Sequence, residues 1–429
     1  MESEAVSGDS VAGPLPSADR PGARPLALTR DQRRLLALLG LPTLGLALAI
    51  TIVSTYLPVL IEDFTSSGTV IGLLIGGEGA IALFVPLLVG AWSDRIDTRF
   101  GKRLPFLAAG GTAAVVALIL MPIAPSLALI SVALAAFYLA YFTYYPPYRA
   151  LFPDLVPTAL YGRAQSSQAI WRAIGLGLAL VSGGVLLAIW RPLPFVLAAV
   201  VLAAVTGLVF WRVNEPPQPV GCCQPESIRE TLAASWRIWR ADPRIRSFIW
   251  ANALWELTLA ALKTFIVLFI VIGLGRSVGF ASLVIGIGAA GSLVAAIFSG
   301  TLGDRYGLAR VMHVALWVYG LGLLVPVFTQ APIVLVIVPV IAFGGGVILT
   351  LPYGLLAKFM PDDAHGAATG LYGFSRGLGV ILGPLIAGVA IDASRPILSS
   401  TDGYAALFGV MGIAALASIP FLRRVGLDA

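Results

Sequence analysis

Residues 90–95 read Gly-Ala-Trp-Ser-Asp-Arg, and residues 300–307 read Gly-Thr-Leu-Gly-Asp-Arg-Tyr-Gly. Each run closes a long apolar stretch, and the aspartates, Asp94 and Asp304, stand 210 residues apart. Gly162 precedes Arg172 by ten residues and Gly366 precedes Arg376 by ten, the two arginines being 204 apart. Pro147-Tyr148 and Pro352-Tyr353 form a weaker third pair in the same order. One chance match of this kind is common. Three in order at nearly one offset point to a duplicated unit.

The composition around these loops sets the environment. Of 429 residues, 58% are hydrophobic and 12% are charged, against roughly a quarter charged in soluble domains. The mean hydropathy is +0.91. Such a chain cannot cover itself with polar surface, which excludes a soluble enzyme, a nucleic-acid binder and a disordered scaffold. Apolar stretches of about 20 residues have the length of a membrane-spanning helix. They are read near 36–61, 70–92, 105–124, 126–150, 164–189, 192–212, 247–272, 279–301, 311–329, 332–357, 367–391 and 404–422. The predicted class is therefore an all-α integral membrane protein with twelve transmembrane helices.

The longest polar interruption, roughly 213–246, splits the spans into two sets of six. The expected organisation is a disordered cytoplasmic tail over 1–34, an N-terminal six-helix bundle over 35–213, a cytoplasmic linker over 214–246 and a C-terminal six-helix bundle over 247–429. The tail has no apolar core of the kind a signal peptide carries. In the linker, Ser227 and Glu230 have capping-box spacing. Ile228, Leu232, Trp236 and Trp239 can share one face of the following helix, which reads as a basic amphipathic helix on the membrane surface.

The net charge is +6, with 28 Lys and Arg residues. With both termini inside, 21 of these lie on cytoplasmic segments and three, Arg191, Arg276 and Arg395, lie outside. The remaining four, Arg149, Arg172, Lys263 and Arg376, lie within spans. That bias places both termini in the cytoplasm of a plasma (inner) membrane protein. Cys222 and Cys223 are adjacent and lack the spacing of a metal or disulfide motif. His313, read as loop-facing at the start of the ninth span, and His365, in a turn, have no metal-ligand company. The glycine runs 183–184 and 344–346 sit inside spans and read as helix packing, not as phosphate cradles. No cofactor is expected, and without a nucleotide site the energy is expected from an ion gradient, of protons or sodium ions, or from a solute's own gradient.

The duplicated loop brings a resemblance with it: over roughly residues 36–424 the sequence resembles the major facilitator superfamily. The second loop follows that family's G-x-x-x-D-R-x-G-R-R, except that Leu308 and Ala309 delay the basic residue to Arg310. The first loop is longer, SDRIDTRFGKRLPF over 93–106. It is similar to S-D-R-x-x-x-R-F-G-R-R-x-P-F of the sucrose-transporter and glycoside–pentoside–hexuronide branches, through Asp94, Arg95, Arg99, Phe100, Gly101, Lys102, Arg103, Pro105 and Phe106. Arg149-Ala150-Leu151 with Asp154-Leu155 resembles R-A-L-x-x-D-L of sucrose transporters. Where those carry an Asp eleven residues before the Arg, this chain has Tyr138; the paired Asp of the sodium–melibiose type would fall on Ala82 and Pro86. The resemblance implies two bundles rocking about a midplane site. It also implies a conformational gate built from Gly90, Asp94, Arg95, Arg99, Gly101, Lys102 and Arg103 in one loop and Gly300, Asp304, Arg305 and Gly307 in the other. Asp94 is expected against the start of span eleven near Gly366, and Asp304 against the start of span five near Gly162, where a helix N-terminus stabilises a carboxylate.

Charges at bilayer depth are costly and are retained for function or for pairing. They are Glu78, Arg149, Arg172, Glu256, Lys263 and Arg376. Glu78, between glycines, suits a proton-coupling group or a salt bridge with an arginine. Glu256 and Lys263, seven residues apart on one face, meet a solute or partners on facing helices. Arg149 resembles a substrate or coupling residue, with Asp154 as its structural alternative. Tyr141, Tyr145 and Tyr148 share a face that can stack on a sugar ring or serve as a packing seam. The expected function is secondary active transport of a small polar solute, a sugar or glycoside moved with protons. The alternatives are proton-coupled export of a drug or metabolite, and a sensor or enzyme on the same fold. The expected partners are a small-molecule solute and the lipid bilayer, with no nucleic acid, for a chain acting as a monomer.

Overall fold

A computed structural model describes residues 29–93, 95–96, 98–157, 160–213, 215, 236–237, 239–329, 333–357 and 365–425. Among the described residues twelve main helices follow one another: α1 (Arg30–Ile61), α2 (Gly68–Ser93), α3 (Leu104–Leu120), α4 (Leu127–Leu155), α5 (Tyr161–Ile189), α6 (Leu193–Arg212), α7 (Pro243–Leu268), α8 (Val278–Tyr306), α9 (Leu308–Phe328), α10 (Ile333–Thr350), α11 (His365–Ser394) and α12 (Ala406–Ala417). Eleven spans among the described residues are long and apolar enough to cross a membrane, and Val336–Thr350 in α10 is a shorter apolar helix. A short helix, Pro352–Ala357, follows α10, and another, Ile419–Arg424, extends α12. The all-α class stands, with the tenth span broken rather than continuous.

Polar residues before the apolar runs start these helices. Thr29 and Gln32 form a reciprocal capping box at α1. Ser126, Asp242 and Ser277 accept the first free N–H groups of α4, α7 and α8. These caps satisfy donors that the helix itself leaves unpaired. Gly307, at φ 88°, makes the turn from α8 to α9, a conformation a β-carbon disfavours.

Packing repeats between the halves. In the first, α1 packs on α5 and α6, α3 on α4 and α6, and α2 on α4. In the second, α7 packs on α11 and α12, α9 on α10 and α12, and α8 on α10. Each pair in one list has its counterpart in the other, as the duplicated motifs predict. Three main pairs join the halves: α2 with α11 and α5 with α8, which are counterparts, and α1 with α7, which is its own counterpart.

The first two joints lie toward the face away from the termini. Gly68 meets Gly388, Gly72 meets Pro384, Gly76 meets Ile381 and Gly79 meets Gly377, so α2 and α11 touch backbone to backbone. Between α5 and α8, Ser282 Oγ accepts from Gly184 N at 2.9 Å and lies 3.1 Å from the Tyr56 hydroxyl. At the other face, a β-carbon on Gly90, Gly162 or Gly300 would meet nothing within 4 Å. A cleft between the halves therefore opens toward the face that carries the termini.

A side chain at Gly72 would overlap the Pro384 carbonyl. Gly72→Val is expected to hold the halves apart at the far face while each half still folds. Spin labels at the far-face ends of α2 and α11 should then move apart; an unchanged distance distribution would mean that the glycine seam does not control closure.

Candidate functional site

At the α2–α11 joint, one carboxylate gathers most of the polar contacts across the far face. Asp392, near the end of α11, takes the first donors of α2: Gly68 N at 2.7 Å, Thr69 N at 2.9 Å, Thr69 Oγ1 at 2.6 Å and Ser67 Oγ at 2.8 Å. The C-terminal half thus supplies the N-cap of a helix in the N-terminal half. Arg395 Nη2 donates to Ser66 O at 2.6 Å, and its Nε lies 3.3 Å from Asp402. Beside this cap, burial holds Glu62 above the usual carboxylate range, with Asp63 and Asp402 adding to the rise and Arg191 and Arg395 opposing it.

Of the two loop aspartates, the described residues include Asp304, which does not meet the start of α5. Asp304 is exposed and Gly162 has open space around it, because these loops sit on the side where the halves have parted. Asp94 lies outside the described residues, as do the side chains of His365 and Gly366 and most of the linker, including Ile228 and Leu232. Trp236 and Trp239 of the linker stack at 4.8 Å. Arg103 works within the first half: Nη1 donates to Ser93 Oγ at 2.6 Å, Nε lies 3.3 Å from Asp154 Oδ2, and its backbone N donates to Glu215 at 2.9 Å. Gly101, at φ 97°, lies against the Glu215 side chain. Arg99 lies over Phe100 and Arg305 over Tyr306. Arg95 is exposed and Lys102 half-buried.

The charged residues meet in the middle. Glu256 Oε2 on α7 lies 3.8 Å from Arg376 Nε on α11, and the Arg376 side chain is 61% exposed. Its neighbours on α11 explain the direction: Ser375 is buried and accepts from Asn252 Nδ2 at 2.8 Å, and Gly377 packs on Leu83. Arg376 is left facing the cleft. Gly379 leaves no room for a side chain between α11 and Glu256. Lys263 is within electrostatic reach of Glu78, Arg376 and Glu256. Carboxylates and cations from α2, α7 and α11 therefore share one region that spans both halves.

Opposite them, the Tyr145 hydroxyl on α4 accepts from Arg149 Nη1 at 3.2 Å and from Arg172 Nη2 on α5 at 3.4 Å. Tyr141 stacks on Tyr145 at 5.9 Å with an interplanar angle of 12°. Tyr148 departs from the expected face. Its hydroxyl donates to Leu39 O at 2.6 Å and lies 2.6 Å from Thr43 Oγ1, which ties α4 to α1 in the core. Tyr138, where the resembled transporters carry an acid, is buried and donates to Ile75 O. Asp154 pairs with Arg103 and not with Arg149. Trp255 donates to Ser418 Oγ in the core. His313 stands in the second turn of α9, half-buried with Nδ1 2.8 Å from Ala309 O. Sequence reasoning missed Asp392, Glu62 and Glu215, whose partners are more than a hundred residues away or come from separate loops. Among the described residues, no three His, Cys, Asp or Glu side chains group as metal ligands.

The family profile of the Major Facilitator Superfamily matches residues 39–276 and 257–426. The chain belongs to the Major Facilitator Superfamily. Membership accords with the paired helix packing and with the duplicated loops. MFS-type transporter YfiU of Bacillus subtilis (strain 168), itself uncharacterized, is 32% identical over 94 residues, which span 22% of this chain and 18% of that relative. A bacterial homologue of the human lysosomal transporter Spinster, solved inward-facing and occupied, superposes at TM-score 0.77 with 15% identity, covering 93% of this chain and 97% of that one. Nucleoside transporter NupG gives 0.73 at 17%, covering 91% and 98%. A D-xylose-proton symporter gives 0.67 at 16%, covering 92% and 98%. At these identities the likeness is one of fold.

Burial is the main cause of the rise at Glu62; of the charges the other half brings, Asp402 raises it more than Arg395 lowers it, so closing the far face raises the cost of ionising Glu62. A carboxyl whose pKa is raised by closure holds its proton more tightly in the closed state. Closure is then favoured at low pH and weakens as pH rises through the raised value. Glu62→Gln should remove this part of the pH dependence, read from label distances across the far face. Asp392→Asn should weaken closure at neutral pH by about 1–3 kcal/mol, the range for a charged hydrogen-bonding group. Wild-type distances in both variants would show that the cap does not hold the face shut.

Proposed function

We propose that this protein is a secondary active transporter that carries a small polar solute, with a sugar or glycoside as the leading class, together with protons. The observation that carries the reading is the meeting of Glu78, Glu256, Lys263 and Arg376 between the halves, in a cleft sealed at one face and open at the other. Charges in that position are hydrated from one side at a time as the halves rock. Glu256 touches Arg376 across a loose 3.8 Å contact, so a proton or a solute hydroxyl competes with the guanidinium for the carboxylate. Glu78 sits between Gly77, which has open space, and Gly79, which packs on α11, so its environment changes when α2 leaves α11. The stacked rings of Tyr141 and Tyr145 offer an apolar face to a sugar ring.

The 93–106 motif supports a place near the sucrose-transporter and glycoside–pentoside–hexuronide branches, with Tyr138 in place of their coupling acid. The excess of Lys and Arg on the terminus-bearing side supports a cytoplasmic position for both termini in the plasma (inner) membrane, and the open cleft then faces the cytoplasm.

Protein reconstituted in vesicles should accumulate solute under an imposed proton gradient, with protons and solute moving together. Glu256→Gln is expected to abolish uphill accumulation at normal expression. Exchange without net flux that survives Glu78→Gln, with uphill transport lost, would identify Glu78 as the proton carrier. Unaltered uphill transport in both single variants would overturn the coupling scheme.

A further inference from the structure

The charges in the cleft do not balance. Glu78 and Glu256 face four cations, Lys263, Arg376, Arg149 and Arg172. The excess falls on the α4–α5 side. Arg376 has Glu256 at 3.8 Å, and Lys263 has Glu78 and Glu256 within electrostatic reach. Among the described residues, neither Arg149 nor Arg172 has a carboxylate within 4.0 Å. Asp154, the acid nearest Arg149 in sequence, is taken by Arg103.

The repeat shows why. Arg172 and Arg376 occupy equivalent places, and α1 packs on α5 as α7 packs on α11. The stretch of α1 that corresponds to Glu256 by that offset, residues 46–52, reads LALAITI and contains no acid. The second half supplies its arginine with a partner; the first half does not.

Arg149 and Arg172 converge instead on one neutral oxygen. Each spends one donor on Tyr145 Oη, at 3.2 and 3.4 Å, both longer than a usual charged hydrogen bond. A guanidinium has five N–H donors in a planar fork. Two such forks held at one point repel each other unless an anion lies between them. Tyr145 is itself held by the ring of Tyr141 and by its place one turn before Arg149 on the same helix face. Both arginines are exposed to the cleft.

We propose that Arg149 and Arg172, set around Tyr145, bind an oxyanion, so that the transported solute bears a carboxylate or a phosphate. This rests on the transport reading above and narrows its solute. Arg376, within electrostatic reach of Tyr145, faces the same point from the other half. An anion bound there lies between cations of both halves and offers Arg376 an alternative to Glu256, whose carboxylate is then free to take a proton.

Phenylglyoxal modification of arginine, read by peptide mass spectrometry on the purified full chain, tests the site directly. Acetate, inorganic phosphate and chloride are compared at equal ionic strength. Acetate or phosphate, but not chloride, should slow modification of Arg149 and Arg172 and leave Arg310, exposed at the start of α9, unaffected. Protection by acetate identifies a carboxylate; protection by phosphate identifies a phosphate group. Equal modification in all three salts overturns the site. In parallel, the protecting anion should raise the melting temperature of wild type and Arg310→Gln. The rise should be lost in Arg149→Gln and Arg172→Gln. In Arg172→Lys, which keeps the charge without the fork, binding should weaken about tenfold. A full rise in an Arg149→Gln, Arg172→Gln double variant also overturns the proposal. Binding is read at equilibrium with no gradient, so a failure of proton-driven accumulation leaves the anion site standing. A neutral solute driven by protons would leave the transport reading standing without the site.

Discussion

The conformation turns on the carboxylate of Asp392. The first N–H groups of any helix lack partners within that helix and carry partial positive charge. In α2 those groups are met by an acid from α11, on the other half of the molecule. Asp392 thus caps the first N–H groups of α2 only while the two halves touch at the far face. The glycine seam beneath the cap allows that touch, because Gly68, Gly72, Gly76 and Gly79 bring the two backbones together. Opening the face leaves the Asp392 carboxylate and the α2 donors to water, which meets both at modest cost. An interaction of this size can be exchanged for hydration, and a transporter needs its seals to be reversible in that way.

With the far face closed, the cleft is wet from the terminus-bearing side. That explains how six charges sit at membrane depth in so apolar a chain. Arg376 is 61% exposed although it lies eleven residues inside a spanning helix. The two halves then differ in a way their shared architecture conceals. The C-terminal half is internally paired through Glu256 and Arg376. The N-terminal half presents Arg149 and Arg172 on a phenol. Duplication supplied two equivalent arginines, and divergence of α1 and α7 set one of them in a pair and left the other open.

The far-face contacts come from residues outside the duplicated loops. Asp304 is exposed, while Arg103 joins Ser93, Asp154 and Glu215 within the first half and its linker.

The sequence by itself determined the number of apolar stretches, their grouping into two sets of six, the duplication, and the inventory of buried charges. Each follows from local quantities: length of an apolar run, spacing of a motif, identity of a residue. It also placed Tyr141, Tyr145, Arg149, Arg172, Glu256 and Arg376 among the residues to watch. Only the tertiary structure decided which of them meet. Tyr148 shares a helix face with Tyr145, yet crossing by α1 buries it against Thr43. Asp154 stands near Arg149 in sequence, yet Arg103 takes it. Asp392 reads as an ordinary acid at the end of a span, and its role exists only because α11 lies beside α2. Pairing of charges depends on which helices cross and at what depth. That is set by the packing of glycine seams between segments hundreds of residues apart, and periodicity within a segment carries no record of it.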